Sequence, residues 1–508
     1  MVARVLSCTI KGLEAVPVNV ELDMTGGLPG LTIVGMGDTA IRESRERVIA
    51  ALRNSGYELP PSRITVNLAP ADLKKEGSRF DLPIALGILA VLKAFPSDAL
   101  DGYMVMGELS LTGEIVGSDA AFPAALLARK SGIEGMILPR DMASEASLVT
   151  ECSPLPVNHL SEVTEYLRGR RELEKVIPPP VRYADKVPDL QEVVGQEVGK
   201  RALTIAAGGG HNILLSGPPG SGKTMLARRM PGLLPDLSTE ESMEVTAIHS
   251  IAGHLSPGEG VITTPSFRAP HHTISHVGLA GGGSNPRPGE VSLAHRGVLF
   301  LDEMSEFKRS TLETLRQPLE DGRIIVARAA RSISFPARFQ LIGTTNPCPC
   351  GYLGHDSRPC ICSPSAIARY RRRISGPLMD RIDLVVQVRA LTPEMLTGNR
   401  SGETTRKIRE LVLSARRIQA GRSGSRHPGL NSLLRTDSLR ELCPMSEDHI
   451  KIMRNAIRNL GMTARGFHRI LRVTRTIADL EGKDYPTPEH LAEALQYRPV
   501  LETPVSGF

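Results

Sequence analysis

The sequence predicts an α/β protein of about three domains, and three observations carry that reading. Its 508 residues, 41% hydrophobic and 23% charged, suffice for several buried cores at roughly 150 residues per domain. Short strand-like runs alternate with amphipathic stretches from the N-terminus to about residue 170. Buried-type strands alternate with helices again from Leu190 to about Val388, the pattern of a parallel sheet with crossover helices. Between these sections IPPPVRYADKVPDL, Ile177 to Leu190, is proline-rich and aperiodic, the mark of a linker.

In the first section the expected strands are Val18 to Leu22, Leu31 to Val34, Ile64 to Leu68 and Met104 to Gly107, with a helix over Thr39 to Arg53. From about Leu391 the pattern becomes helical. Thr487 followed by Pro488 supplies an N-cap and a first-turn proline for a last helix through about Tyr497. No apolar run reaches the roughly 18 residues that a membrane-spanning helix needs, and the start carries no signal-peptide pattern. Seven cysteines, four of them within Cys348 to Cys362, are too few for a disulfide scaffold, so a reducing cytoplasm is expected. With 4% aromatic residues and no Trp, broad base-stacking platforms are not expected.

Charge is uneven. Ser363 to Thr476 holds 23 Lys and Arg against 9 Asp and Glu, +14 in a chain whose net charge is +6. Such a segment reads either as a polyanion-facing surface or as a helical domain with solvated charged faces.

The strongest motif is HNILLSGPPGSGKTMLARRM. An apolar strand, Asn212 to Leu215, runs into Gly217, Pro218, Pro219, Gly220, Ser221, Gly222, Lys223 and Thr224, and then into a helix. This is G-x-x-x-x-G-K-S/T in its required context. The glycines let backbone N–H groups turn toward phosphate oxygens, and the helix N-terminus adds partial positive charge. Lys223 neutralises the β and γ phosphates and the Thr224 hydroxyl ligates Mg²⁺. The strand Val298 to Leu301 then ends in Asp302 and Glu303, where Asp302 holds the Mg²⁺ shell and Glu303 polarises the attacking water. A third strand, Phe339 to Thr344, leads to Asn346. That amide either orients the lytic water or caps the turn before Pro347. Cys348-Pro-Cys350 and Cys360-Ile-Cys362 form a cluster that reads as a structural Zn²⁺ site, free thiols or a redox-labile pair.

These motifs together resemble an AAA+ ATPase. FRAPHHTISHVGLAGGGSNPRPGEVSLAHRGVLFLDEMSEF and LRQPLEDGRIIVARAARSISFPARFQLIGTTNPCPCG look like its magnesium-chelatase-like branch. From Val2 to Arg498 the chain resembles the YifB/ComM family. The resemblance implies a Lon-protease-like α+β domain (ribosomal S5 domain 2 type) over 1–170, a linker over 177–190, an ATPase domain over 191–388 and a helical lid over 391–508. It also implies that Arg381, in GPLMDRIDL, is an arginine finger reaching the next subunit's ATP, and that Arg465 is a sensor arginine on the lid. Val194 and Gln196 match the segment that packs on adenine. Arg381 pairing with Asp380 or Asp383, and Arg465 as a plain surface residue, are the alternatives. A finger supplied in trans implies a homo-oligomer, hexameric in this family, acting on single-stranded or branched DNA by helicase-type branch migration in transformation. Metal insertion, as in magnesium chelatase, and ATP-dependent Lon-like proteolysis are the competing functions. The second is disfavoured because Ser78 lies in GSRFDLP and no lysine stands between Gly113 and Lys130, whereas Lon-type chemistry needs a Ser with a Lys base.

Overall fold

The computed structural model describes residues 2–35, 39–73, 75, 77–96, 98–179, 187–256, 258–283, 286–328, 331–355, 358–390, 402–422, 429–460 and 462–498. The middle of the expected linker and the expected start of the helical section (391–401) lie outside them. The chain forms two compact units, one of residues 1–182 with 239–262, the other of 183–238 with 263–508.

The first unit is built on a seven-stranded mixed sheet in the order Gly30–Val34, Ser62–Ala69, Glu14–Gly26, Val2–Lys11, Tyr103–Val105, Gly135–Pro139, Ser153–Val157. Alternation makes its inner face. Val18, Val20 and Leu22 point inward from one strand, and Ile64, Val66 and Leu68 from its antiparallel neighbour. The helix Asp81–Val91 is apolar all round, and all of its residues are buried. It presses so closely on the sheet that a methyl at Gly87 would stand 2.1 Å from Leu22 Cδ1. At its first turn Asp81 is fully buried and takes a 2.7 Å bond from Arg47 Nε. Burial still holds its carboxyl above the usual range, outweighing the arginine.

The helix Thr239–Ile251 is an insertion that the sequence reading did not anticipate. It falls inside the stretch 191–388, yet it belongs to the first unit. Ala247, Met243 and Leu255 join an apolar cluster with Phe122 and Ala125. Ser250 Oγ donates to Glu145 at 2.6 Å.

The second unit has a five-stranded, all-parallel sheet in the order Phe267–Arg268, Val298–Leu301, Gln340–Thr345, Ile213–Ser216, Leu384–Gln387. Strands such as Ile213–Ser216 and Val298–Leu301 are buried end to end, as a parallel sheet covered on both faces requires. The helix Glu197–Gly209 packs on it, and Thr405–Gly421 and Ala464–Leu480 pack on that helix. The last of these helices carries a charged knot. Arg475, fully buried, donates to Asp479 at 2.8 Å and to the carbonyls of Lys483 and Asp484. Arg422 and Asn431 also donate to Asp479. The last helix is Pro488–Gln496, with the Thr487 N–H bonded to His490 Nδ1 at 2.9 Å.

Candidate functional site

The carboxyl ends of adjacent parallel strands carry the site, the edge where α/β sheets bind ligands. Ser216 leads into the phosphate loop, Leu301 into Asp302 and Glu303, and Thr345 into Asn346. Register brings them level, since Ser216 pairs with Thr345 and Leu301 with Gly343.

Within the loop, Gly220 and Gly222 adopt φ of 76° and 89°, which favours glycine. Gly217 admits no side chain, because a Cβ there would lie 2.1 Å from the Val388 carbonyl. The Lys223 ammonium donates to Gly217 O at 2.7 Å, Pro218 O at 2.8 Å and Asn346 Oδ1 at 3.2 Å. Burial pulls its pKa down, against the pull of Asp302 and Glu303. The buried Ser221 hydroxyl has no hydrogen-bond partner among the described residues.

Thr224 Oγ1 lies 3.3 and 3.1 Å from the two oxygens of Asp302. Thr344, which the sequence reading passed over, organises the acid pair. Its hydroxyl donates to Asp302 Oδ1 at 2.6 Å and accepts from the Glu303 N–H at 2.9 Å. The only signal for it was a hydroxyl near a strand tip, two residues before Asn346. Glu303 itself sits at φ 50°, a left-handed conformation that is costly for a side chain and typical of functional positions.

An oxygen donor set of hydroxyl and carboxylate suits a hard cation such as Mg²⁺. The orphaned Ser221 hydroxyl and the glycine cradle likewise suit phosphate oxygens.

Gln196 bridges two parts of this edge, donating to Ser221 O at 3.0 Å and Arg389 O at 2.7 Å. Val194 is half-buried beside it.

Arg381 is placed elsewhere. It donates to Arg316 O at 3.1 Å and Pro377 O at 2.7 Å, and pairs with Glu320. None of these partners belongs to the phosphate loop. Neither Asp380 nor Asp383 holds it, because Asp380 pairs with Arg469 at 2.9 Å and Asp383 accepts the Asn212 N–H. Arg381 lines a cleft of about 770 Å³ with His276, Val277, Glu313, Gln317 and Glu320. Arg465 is exposed, with no side-chain bond among the described residues. One turn along the same helix, Arg469 instead clasps the Arg381 segment, donating to Met379 O and Ile382 O at 3.1 and 3.0 Å. Sequence reasoning missed it because its partners lie 87 and 90 residues away.

The four cysteine sulfurs all lie within 4.8 Å of one another. Cys348 and Cys350 are 3.4 Å apart, and each is 3.6 Å from Cys360. These separations exceed the disulfide bond of about 2.05 Å. N–H bonds from the neighbouring backbone hold the Cys350 thiol down at about 6.

The basic segment divides. Arg469 and Arg475 are buried in ion pairs, and Arg472 donates to Leu434 O, so part of the +14 is internal structure. Arg369 and Arg372 are exposed.

The phosphate loop and acid pair on a five-stranded parallel sheet define an AAA+-type P-loop ATPase. Family descriptions agree: "Magnesium chelatase, subunit ChlI" matches residues 189–396, "Subunit ChlI of Mg-chelatase" matches 20–142, and the ChlI C-terminal description matches 402–498. The chain is 43% identical to the protein YifB of Escherichia coli, over 96% of this chain and 95% of that one. It is 44% identical to the competence protein ComM of Haemophilus influenzae, over 98% of both. The magnesium-chelatase 38 kDa subunit of Rhodobacter capsulatus is 27% identical over 30% of this chain and 49% of its own length. The chain therefore belongs to the YifB/ComM family of magnesium-chelatase-like ATPases.

Proposed function

We propose that this chain is a cytoplasmic ATP-hydrolysing ring motor that acts on DNA, driving helicase-type branch migration as incoming DNA recombines. The observation that carries the ATPase half is the pairing of Lys223 with Asn346 and of Thr224 with Asp302 at one sheet edge. Lys223 and the loop N–H groups bind the phosphates, and Gln196 with Val194 packs at the adenine. Thr224 and Asp302 would hold Mg²⁺, which would supply positive charge to offset that of the phosphates. Glu303 accepts the proton of the attacking water, and Asn346 orients that water. Arg381 of a neighbouring subunit stabilises the charge developing on the γ-phosphoryl, which makes the working form a homo-oligomeric ring, hexameric by family resemblance. Arg465, on the lid over residues 391–508, reports nucleotide state. Cys348, Cys350, Cys360 and Cys362 hold a structural Zn²⁺.

The DNA half draws on the name of the Haemophilus relative, a competence protein, and on exposed arginines such as Arg369 and Arg372. The N-terminal section, 1–170, is read as a Lon-like fold without peptidase chemistry, since the Ser78 hydroxyl bonds to Glu108 rather than to a lysine amine.

The deciding experiment measures ATPase rate without DNA and with single-stranded, duplex and branched DNA at two salt concentrations. Stimulation that falls steeply with salt is expected, and no stimulation by any of the three overturns the DNA role. Lys223→Ala should abolish ATP binding. Normal hydrolysis by that variant overturns the site.

A further inference from the structure

The cysteine cluster is joined to the phosphate loop at two points. Asn346, whose Oδ1 accepts from Lys223 Nζ at 3.2 Å, stands two residues before the buried Cys348. Gly351, directly after Cys350, lies against the ring of Pro219, where an added Cβ would stand 2.6 Å from Cδ and 2.9 Å from Cγ. The Cys348-Pro-Cys350 pair is thus flanked on one side by a contact to the loop's lysine and on the other by a contact to its proline.

The sulfur geometry suits a tetrahedral metal. Zn–S bonds of about 2.3 Å give a tetrahedron whose S···S edges are about 3.8 Å; the three separations among Cys348, Cys350 and Cys360 are 3.4 to 3.6 Å, and Cys362 lies within 4.8 Å of each. Backbone N–H groups already point at sulfur: Cys350 N–H to Cys362 Sγ and Cys362 N–H to Cys360 Sγ, both 3.4 Å.

We infer that Zn²⁺ bound by Cys348, Cys350, Cys360 and Cys362 is a clamp on the phosphate loop, so that metal occupancy sets the affinity for ATP. This rests on reading Gly217–Thr224 as the nucleotide site. With the metal in place, Gly351 and Asn346 brace Pro219 and Lys223 from outside. Without it, nothing ties Cys348 and Cys350 to Cys360 and Cys362, the Cys348–Gly351 segment is free to move away from the loop, and both braces are lost.

The test uses the full-length chain. Metal analysis should find one zinc per chain, and Cys362→Ser should remove it. ATP affinity, measured at fixed Mg²⁺ with a zinc-selective chelator, should fall at least tenfold and return on adding Zn²⁺. Gly351→Ala should keep its zinc yet bind ATP at least several-fold more weakly, since the new methyl meets Pro219 and the φ of 84° there resists a side chain. This arm decides the matter if chelation unfolds the protein. No bound zinc, or an iron chromophore in its place, overturns the metal assignment. Zinc present with ATP affinity unchanged by chelation and by Gly351→Ala overturns the clamp. If wild type and Lys223→Ala bind ATP equally, the nucleotide-site reading fails instead, and the metal content still reports on the cluster.

Discussion

Around the phosphate loop, Lys223, Thr224, Asp302, Thr344 and Asn346 are tied together by bonds of 2.6 to 3.3 Å. Arg381, in the same unit, finds among the described residues two carbonyls and Glu320, whose side chain is 58% exposed. The first region is finished within one chain. The second parks a guanidinium, itself 13% exposed, on a carboxylate that faces solvent. Under the function proposed above, one half of the catalytic centre is assembled within the chain and Arg381 is the half offered to a neighbour.

The sharpest way to break that contrast is Arg381→Ala. Turnover at saturating ATP should drop about a thousandfold while ATP affinity stays near wild type. Mixing this variant with Lys223→Ala subunits should restore part of the rate. Lost affinity, or no rescue on mixing, would erase the distinction between the two regions. Glu303→Gln comes next: steady-state hydrolysis should fall at least about a hundredfold, with ATP still bound. Thr344→Val strips Asp302 of a donor and leaves the Glu303 N–H without its acceptor. Stability should fall by about 1–3 kcal/mol, read by denaturant titration, with a roughly tenfold slower ATPase. The smallest effect belongs to Glu320→Gln, which frees Arg381. The rate should rise, by no more than about fivefold given the modest worth of such pairs.

What could be read from the chain beforehand was whatever is local. The phosphate loop needs strand, glycines, lysine and helix in one run, and Asp302 and Glu303 follow their strand directly, so spacing alone finds them. Asn346 sits one residue past the strand Gln340–Thr345, close to where periodicity put it. Thr344, Glu320 and Arg469 escaped for a common reason. Their partners stand 42, 61 and 89 residues away, and nothing in a threonine or arginine announces a distant partner. The surplus of basic residues misled in part. Arg475 is charged yet sits in the core, because Asp479, one turn along its own helix, and three carbonyls supply what water would. Counting charges does not separate such a residue from a solvated one.

The insertion over 239–262 has a practical corollary for anyone dividing the chain. A fragment starting at Tyr183 would retain Met243, Ala247 and Leu255 but lack the Phe122 and Ala125 that cover them, and would expose a greasy flank prone to clumping. A fragment ending at Arg182 would in turn lose Ser250, which caps the Glu145 carboxylate. Neither half is severable by a single cut, so an independently soluble ATPase fragment would also need 239–262 excised and its ends rejoined. Leu237 N–H and Thr263 O, already bonded at 2.8 Å, mark where a short turn would close the gap.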